Sequence, residues 1–362
     1  MSRKLKIAII GCGGIAHGKH LKSLVNLETA ELVAFCDIVV ERAHQAANEF
    51  GAPGAKVYED YRQLLQDDSI EVVHVLTPND SHAEITIAAL EAYKHVMCEK
   101  PMAKTAADAR RMVEAAKRSG KKLTIGYQNR FRSDSQYLQK VCAAGELGEI
   151  YFAKAHAVRR RAVPTWGVFL DEEKQGGGPL IDIGTHALDL ALWMMNNYKP
   201  KVVLGTAYHK LSAKENAANA WGSWDPKKFT VEDSAFGMIT MENGASIILE
   251  SSWALNTLDV KEAKVTLCGT EGGADMNHGG LRINGEKHSK LFTNEVELVA
   301  GGVAFYEGKK EADAELEAEM WLNAIINDTD PIVSPEQACV VSEILEALYE
   351  SARTGKAVYF NE

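Results

Sequence analysis

Residues 6–16 read KIAIIGCGGIA. Lys6 to Ile10 form a short β-branched run of the kind shown by a parallel strand buried on both faces. The run passes directly into GCGGIA, where Gly11, Gly13 and Ala16 satisfy G-x-G-x-x-G/A and Gly14 adds slack. The mechanism needs a tight turn at Gly11 and no side chain at Gly13, so that the backbone can approach a pyrophosphate. A small residue at Ala16 lets the following helix pack close, with the phosphates at its positive end. Gly11, Gly13, Gly14, Ile15 and Ala16 are therefore the expected phosphate-side contacts. A glycine-rich turn alone is a common feature, so its surroundings decide the reading.

Working outward, ELVAFC ends on Asp37, some 23 residues after Gly14. A carboxylate there accepts both ribose hydroxyls of adenosine and repels the 2′-phosphate of NADP. The nearest following arginine is Arg42, so NAD is expected over NADP; a plain turn residue is the bland alternative. VVHVLTPND (72–80) then runs into a helix-like AEITIAALEAY, and HVMCEKP (95–101) into TAADARRMVEAAKRSG. KLTIGYQ closes the pattern at Gln128. Alternating strands and helices imply right-handed crossovers and a parallel, doubly wound Rossmann sheet. Ligands of such sheets sit at the carboxyl ends of the strands. Those ends are Gly11, Asp37, Thr77 to Asn79, Glu99-Lys100 and Gln128, so the charges that stop HVMC lie on the cofactor rim.

The 362 residues exceed one ordinary core, and two domains are expected, 1–127 binding the dinucleotide and 128–362 the substrate. A net charge of −10 without a long basic run argues against nucleic-acid or anionic-membrane partners. The apolar run after MSRKLK is too short for a signal sequence, and nothing approaches the ~20 apolar residues of a membrane span. Cys12, Cys36, Cys98, Cys142, Cys268 and Cys339 are scattered without a CxxC pair. No metal site or disulfide framework is expected, and the cytoplasm is the expected location.

After Gln128 the pattern changes. GEIYFAKAHAVRRR reads as a strand with Tyr151, Ala153, Ala155, Ala157 and Arg159 on one face. VVLGTAYHKL, DSAFGMITM, ASIILESSWAL and KVTLCG follow, the middle two joined by a hairpin around Glu242-Asn243-Gly244. The expectation is an α+β domain with a large, mostly antiparallel open sheet and helices at about 311–328 and 336–353. In GGGPLIDIGTHALDLALWMM (176–195), a helix places Asp182, His186, Asp189 and Trp193 within about 60° of one another. Nearly every other direction is apolar, so this stripe either meets buried partners or borders a cleft. Of three consecutive arginines, strand alternation sends Arg159 to the face opposite Arg160. Arg159 is a candidate substrate contact, or part of a solvated edge or an ion-pair network. Trp166 is equally open between stacking on a sugar ring and a structural role.

GCGGIA, TPNDSH at 77–82 and CEKP at 98–101, in this order, resemble the glucose–fructose oxidoreductase / inositol dehydrogenase / MocA (Gfo/Idh/MocA) family. The resemblance places Lys100 between nicotinamide and substrate. It implies that Thr77, Pro78, Asn79 and His82 line the cofactor, while Glu99 and Gln128 are cofactor candidates by their place at strand ends. His82 retains a second reading as a helix-start residue, and Glu99 one as holding loop geometry. For His17 and His20, packing or capping is the reading. The family's Asp-x-x-x-His pair maps onto Asp182 and His186, and its open sheet implies a homodimer or homotetramer. The implied activity is NAD-dependent oxidation of a secondary hydroxyl of a sugar, sugar derivative or cyclitol. His186 would be the base, Asp182 would bind substrate or orient the imidazole, and Lys100 would stabilise alkoxide charge. Two alternatives are an NAD-dependent glycosidase of the same family and a non-catalytic sensor. Retention of Lys100, Asp182 and His186 argues against the sensor.

Overall fold

The computed structural model describes residues 3–276, 280–298 and 313–360. The chain forms two compact units, Met1–Phe131 with Lys310–Cys339, and Arg132–Lys309 with Val340–Glu362.

The first unit is built on six strands, β1 Leu5–Ile10, β2 Ala30–Cys36, β3 Lys56–Tyr58, β4 Val72–Val75, β5 His95–Cys98 and β6 Leu123–Ile125. All pairings are parallel and the order is β3-β2-β1-β4-β5-β6. This is the Rossmann arrangement expected from KIAII and the strands after it. Chain progression reverses between β1 and β4, which opens a crevice at their carboxyl ends. The three-residue edge strand β3 lacked a sequence signal, because so short a run has no period to read. The helix Ala106–Ser119 shows how local chemistry sets the connections. Thr105 Oγ1 accepts from Asp108 N at 3.1 Å, and Gly120, at φ +65°, ends the helix in the left-handed region. The core joins Leu5, Ile7, Ile9, Val72 and Met97 of the strands to Trp321 and Leu322 of a helix over Asp313–Ile326. That helix was expected from about 311; positions 311–312 lie outside the described residues.

Among its described residues the second unit carries nine strands, β7 Ile150–Val158, β8 Pro200–Tyr208, β9 Ser234–Met241, β10 Ser246–Ser252, β11 Lys261–Gly269, β12 Gly272–Asp275, β13 Leu281–Lys287, β14 Lys290–Val296 and β15 Val358–Tyr359. Their order is β14-β13-β12-β11-β7-β10-β9-β8-β15. Among the described strands only β7 and β10 pair in parallel, so the sheet is mostly antiparallel, as expected. The β9–β10 hairpin turns at Gly244, at φ +89°. Ala153, Ala155 and Ala157 of β7 are buried, whereas Tyr151 at its start is exposed. The helix Thr185–Met195 lies against β7 and β11.

Candidate active site

In the first unit the site residues expected from sequence follow the carboxyl ends of β1, β2, β4, β5 and β6 of one sheet. Gly11 follows β1 at φ +94°, and a Cβ there would stand 2.7 Å from the Leu76 carbonyl carbon and 2.9 Å from Thr77 N. No other residue fits, since the main chain leaving β4 passes directly beside the turn. Around Gly13 and Gly14 a Cβ would meet nothing within 4 Å. Ile15 is 42% exposed and Ala16 fully buried, and a π-helical turn over Ala16–His20 follows. Such turns are rare and recur at functional sites.

Asp37, just past β2, is tied to this turn. Its Oδ2 accepts from Cys12 N and its Oδ1 from Val39 N, both at 2.8 Å. Each oxygen retains a further lone pair. Burial, together with the Asp37 charge, pushes the Cys12 and Cys36 thiols up to about 12, so neither carries charge here at neutral pH. The open backbone at Gly13 and Gly14 beside a carboxylate suits a dinucleotide.

Thr77, Pro78 and Asn79 follow β4, and Asn79 opens a 3₁₀ turn before the helix His82–Glu91. His82 is both a helix-start residue and a strut. Its Nδ1 lies 2.8 Å from Pro101 O and its Nε2 2.9 Å from Thr77 O. Only the imidazolium can donate to both carbonyls. Burial opposes that charge, but the Cys98 sulfur and the two carbonyls outweigh it and raise the pKa from 6.5 to about 9. A folded-state value above the unfolded one stabilises at low pH, and the contribution disappears as pH rises through the folded value. The melting midpoint should therefore fall between pH 6.5 and about 9. His82→Gln should remove that slope; a variant keeping it would assign the titration to another group.

Lys100 lies two residues past β5 in a half-buried position, and its bond to Pro101 is cis. Glu99 beside it is buried and points into the unit. Its Oε1 takes Lys19 Nζ at 2.9 Å and His20 Nε2 at 2.8 Å, while Oε2 accepts from Lys100 N at 3.0 Å. Glu99 thus holds the loop that carries Lys100. Lys19 also pairs with Glu317 at 2.8 Å, and His20 meets His74 at 3.4 Å. Burial disfavours both charges. Even so, Glu317 and Glu99 hold the Lys19 pKa above its usual value, and Lys19 and His20 hold Glu99 well below its own. An adjoining cavity of about 20 Å³ has room for a single water and not for a nucleotide. Gln128 opens a 3₁₀ turn beyond β6. His17 packs edge-on against Phe50 at 5.9 Å, in keeping with a packing role. His20 instead hydrogen-bonds Glu99, a partnership that sequence reasoning missed along with those of Lys19 and Glu317.

In the second unit, Asp182 and His186 lie on one continuous helical segment, but its first turn, Leu180–Gly184, is π-helical. The wider turn alters the angle between them from that of an α-helix. Asp182, His186 and Asp189 are all buried, and Trp193 is half-buried. The segment's start is clamped by Glu232, which sequence reading had not singled out. Glu232 accepts from Gly178 N at 2.8 Å, Leu180 N at 3.1 Å and Tyr349 Oη at 2.9 Å. The glycine run before Pro179 follows from this packing. A Cβ at Gly177 would lie 2.0 Å from Tyr349 Oη, and one at Gly178 2.1 Å from Glu232 O.

Asp182 Oδ2 accepts from Trp253 Nε1 at 3.0 Å. Trp253 contacts Phe169 at 6.4 Å, and Phe169 contacts Trp166 at 5.9 Å, ring centre to ring centre. Arg159 Nε donates to Glu262 Oε2 at 2.6 Å, Nη2 also donates to Glu262, and Nη1 reaches Ala162 O at 3.2 Å. Burial opposes the Arg159 charge, and Glu262 and Asp182 together raise its pKa. Asp182, Arg159 and Trp166 thus belong to one neighbourhood of the second unit. Among the described residues there is no cluster of metal-ligating side chains and no helix long and apolar enough to cross a membrane.

A dinucleotide-binding α/β unit in which Glu99-Lys100 follows β5, and an α+β unit with an Asp/His helix, define a class of nucleotide-dependent oxidoreductases. The chain belongs to the Gfo/Idh/MocA family: residues 5–127 match the oxidoreductase family's NAD-binding Rossmann fold and residues 135–275 the family's C-terminal domain. Over 99% of this chain and 98% of the other it is 37% identical to a D-glucoside 3-dehydrogenase of Escherichia coli strain K12. An inositol 2-dehydrogenase of Salmonella paratyphi B is 35% identical over 54% of this chain and 56% of that protein. The fold is also that of a levoglucosan dehydrogenase solved with NADH and levoglucosan, at TM-score 0.83 and 21% identity, covering 99% of this chain and 100% of that one.

Proposed function

We propose that this oxidoreductase oxidises a secondary hydroxyl of a sugar, sugar derivative or cyclitol and prefers NAD to NADP. The observation that carries the substrate class is the full-length similarity to a D-glucoside 3-dehydrogenase in a chain that has Lys100, Asp182 and His186. Asp37 carries the cofactor preference, because its carboxylate is already locked against the glycine turn. The nicotinamide ring, when bound, supplies the two-electron acceptor. His186 takes the hydroxyl proton, which requires its neutral form. Asp182, oriented by Trp253, binds the sugar hydroxyls or the imidazole. Lys100 donates to the reacting oxygen and stabilises the alkoxide charge that develops there. The nine-stranded sheet is the surface we assign to a homodimer or homotetramer, and a reducing cytoplasm suits six unbridged cysteines.

A panel of aldoses, glucosides, polyols and cyclitols, followed by NADH absorbance, tests the activity. NADH accumulation with at least one member is expected. Release of an aglycone without NADH would make the protein a glycosidase instead. Asp37→Ala should weaken NAD much more than NADP. Equal catalytic efficiency with both cofactors in the unmutated protein would overturn the ribose assignment.

A further inference from the structure

We propose that Trp166 and Trp221 form a platform for a second sugar ring, so that the preferred substrate is a glycoside or disaccharide. This rests on the sugar-oxidising function above. The two indoles meet edge to face at 4.9 Å, yet remain 51% and 45% exposed. Side chains of this size usually bury most of their surface, and a fixed exposed pair is an unusual use of apolar area.

The pair is held rigidly. Thr165 Oγ1 donates to Trp221 O at 2.7 Å, and Asn219 closes the loop by donating to Val163 O at 2.9 Å and Gly222 O at 2.8 Å. The Arg159 guanidinium, fixed by Glu262, lies 5.5 Å from the Trp221 ring centre. A surface ordered before binding loses little entropy when a ligand arrives.

Two aromatic rings link it to the candidate substrate carboxylate. Phe169 touches both Trp166 and Trp253, and Trp253 donates to Asp182. A ring held at Asp182 therefore leaves the indoles for the next ring along. A pyranose suits them, because its C–H face packs on an aromatic surface while its hydroxyls reach a polar rim. Two indoles are far short of the area that a stable protein interface buries.

The test is calorimetric titration of the NADH-loaded protein with glucose, maltose and cellobiose. At least one disaccharide is expected to bind about tenfold more tightly than glucose, the scale of one stacked ring. Trp221→Ala should erase that advantage, and Trp221→Phe should keep most of it. Equal affinity for glucose and both disaccharides, no binding of any, or an equal loss for all three in Trp221→Ala would overturn the platform. So would dissociation of an oligomer in Trp221→Ala with sugar binding unchanged, which would assign the pair to a second copy. NADH formation is read separately. Disaccharide binding that depends on Trp221 without NADH would uphold the platform and overturn the dehydrogenase function.

Discussion

Lys100→Ala lowers turnover by at least ~10²-fold and leaves NAD affinity within a small factor, the scale set by losing one electrostatic or proton-transfer group. The loss falls on turnover because Lys100 is assigned to the charge that develops on the reacting oxygen. The glycine turn and Asp37, which are assigned to most of the cofactor, are untouched. The loop itself should survive, since Glu99 binds the main-chain N of Lys100 and not its side chain. Steady-state rates at saturating sugar and a separate NAD titration distinguish the two effects. Turnover that persists in the variant would make Lys100 a structural residue and sink the mechanism.

Glu99→Gln is expected to cost about 3 kcal/mol of unfolding free energy, the lower end of the range for breaking a buried ion pair. The amide keeps a hydrogen-bonding oxygen but leaves Lys19 with Glu317 as its one remaining carboxylate in this network, and leaves His20 facing a neutral group. Because Glu99 also accepts from Lys100 N, turnover should fall as well, and by more than NAD affinity. Denaturant unfolding of the variant measures the first effect. A loss below about 1 kcal/mol, the range of exposed pairs, would show that solvent already screens these charges.

Much of the fold was legible because its determinants are local. KIAII followed by GCGGIA specifies a buried strand and a glycine turn within eleven residues, and the alternation after it implies the parallel sheet. The Glu242-Asn243-Gly244 turn likewise announced the β9–β10 hairpin. The rim residues Asp37, Thr77, Lys100 and Gln128 were legible for the same reason, since a strand's carboxyl end is marked where its apolar run stops.

Partner choice was not legible. Glu99 was visible as a charge at a strand end, but its pairing with Lys19 and the pairing of Lys19 with Glu317 join three distant stretches of chain. The same holds for Glu232, which clamps Gly178 and Leu180, and for Trp221, which comes to rest against Trp166. The π-helical turn at Leu180–Gly184 had no signal in the spacing of Asp182 and His186 either. By itself the sequence determined the elements, their order and the rim on which chemistry-bearing residues stand, because backbone preference and apolar period act over a few residues. Which buried charges meet, and which indoles stay exposed, was decided by the tertiary structure alone. A desolvated group takes whatever complementary partner the packing brings to it, however far away that partner lies in the chain.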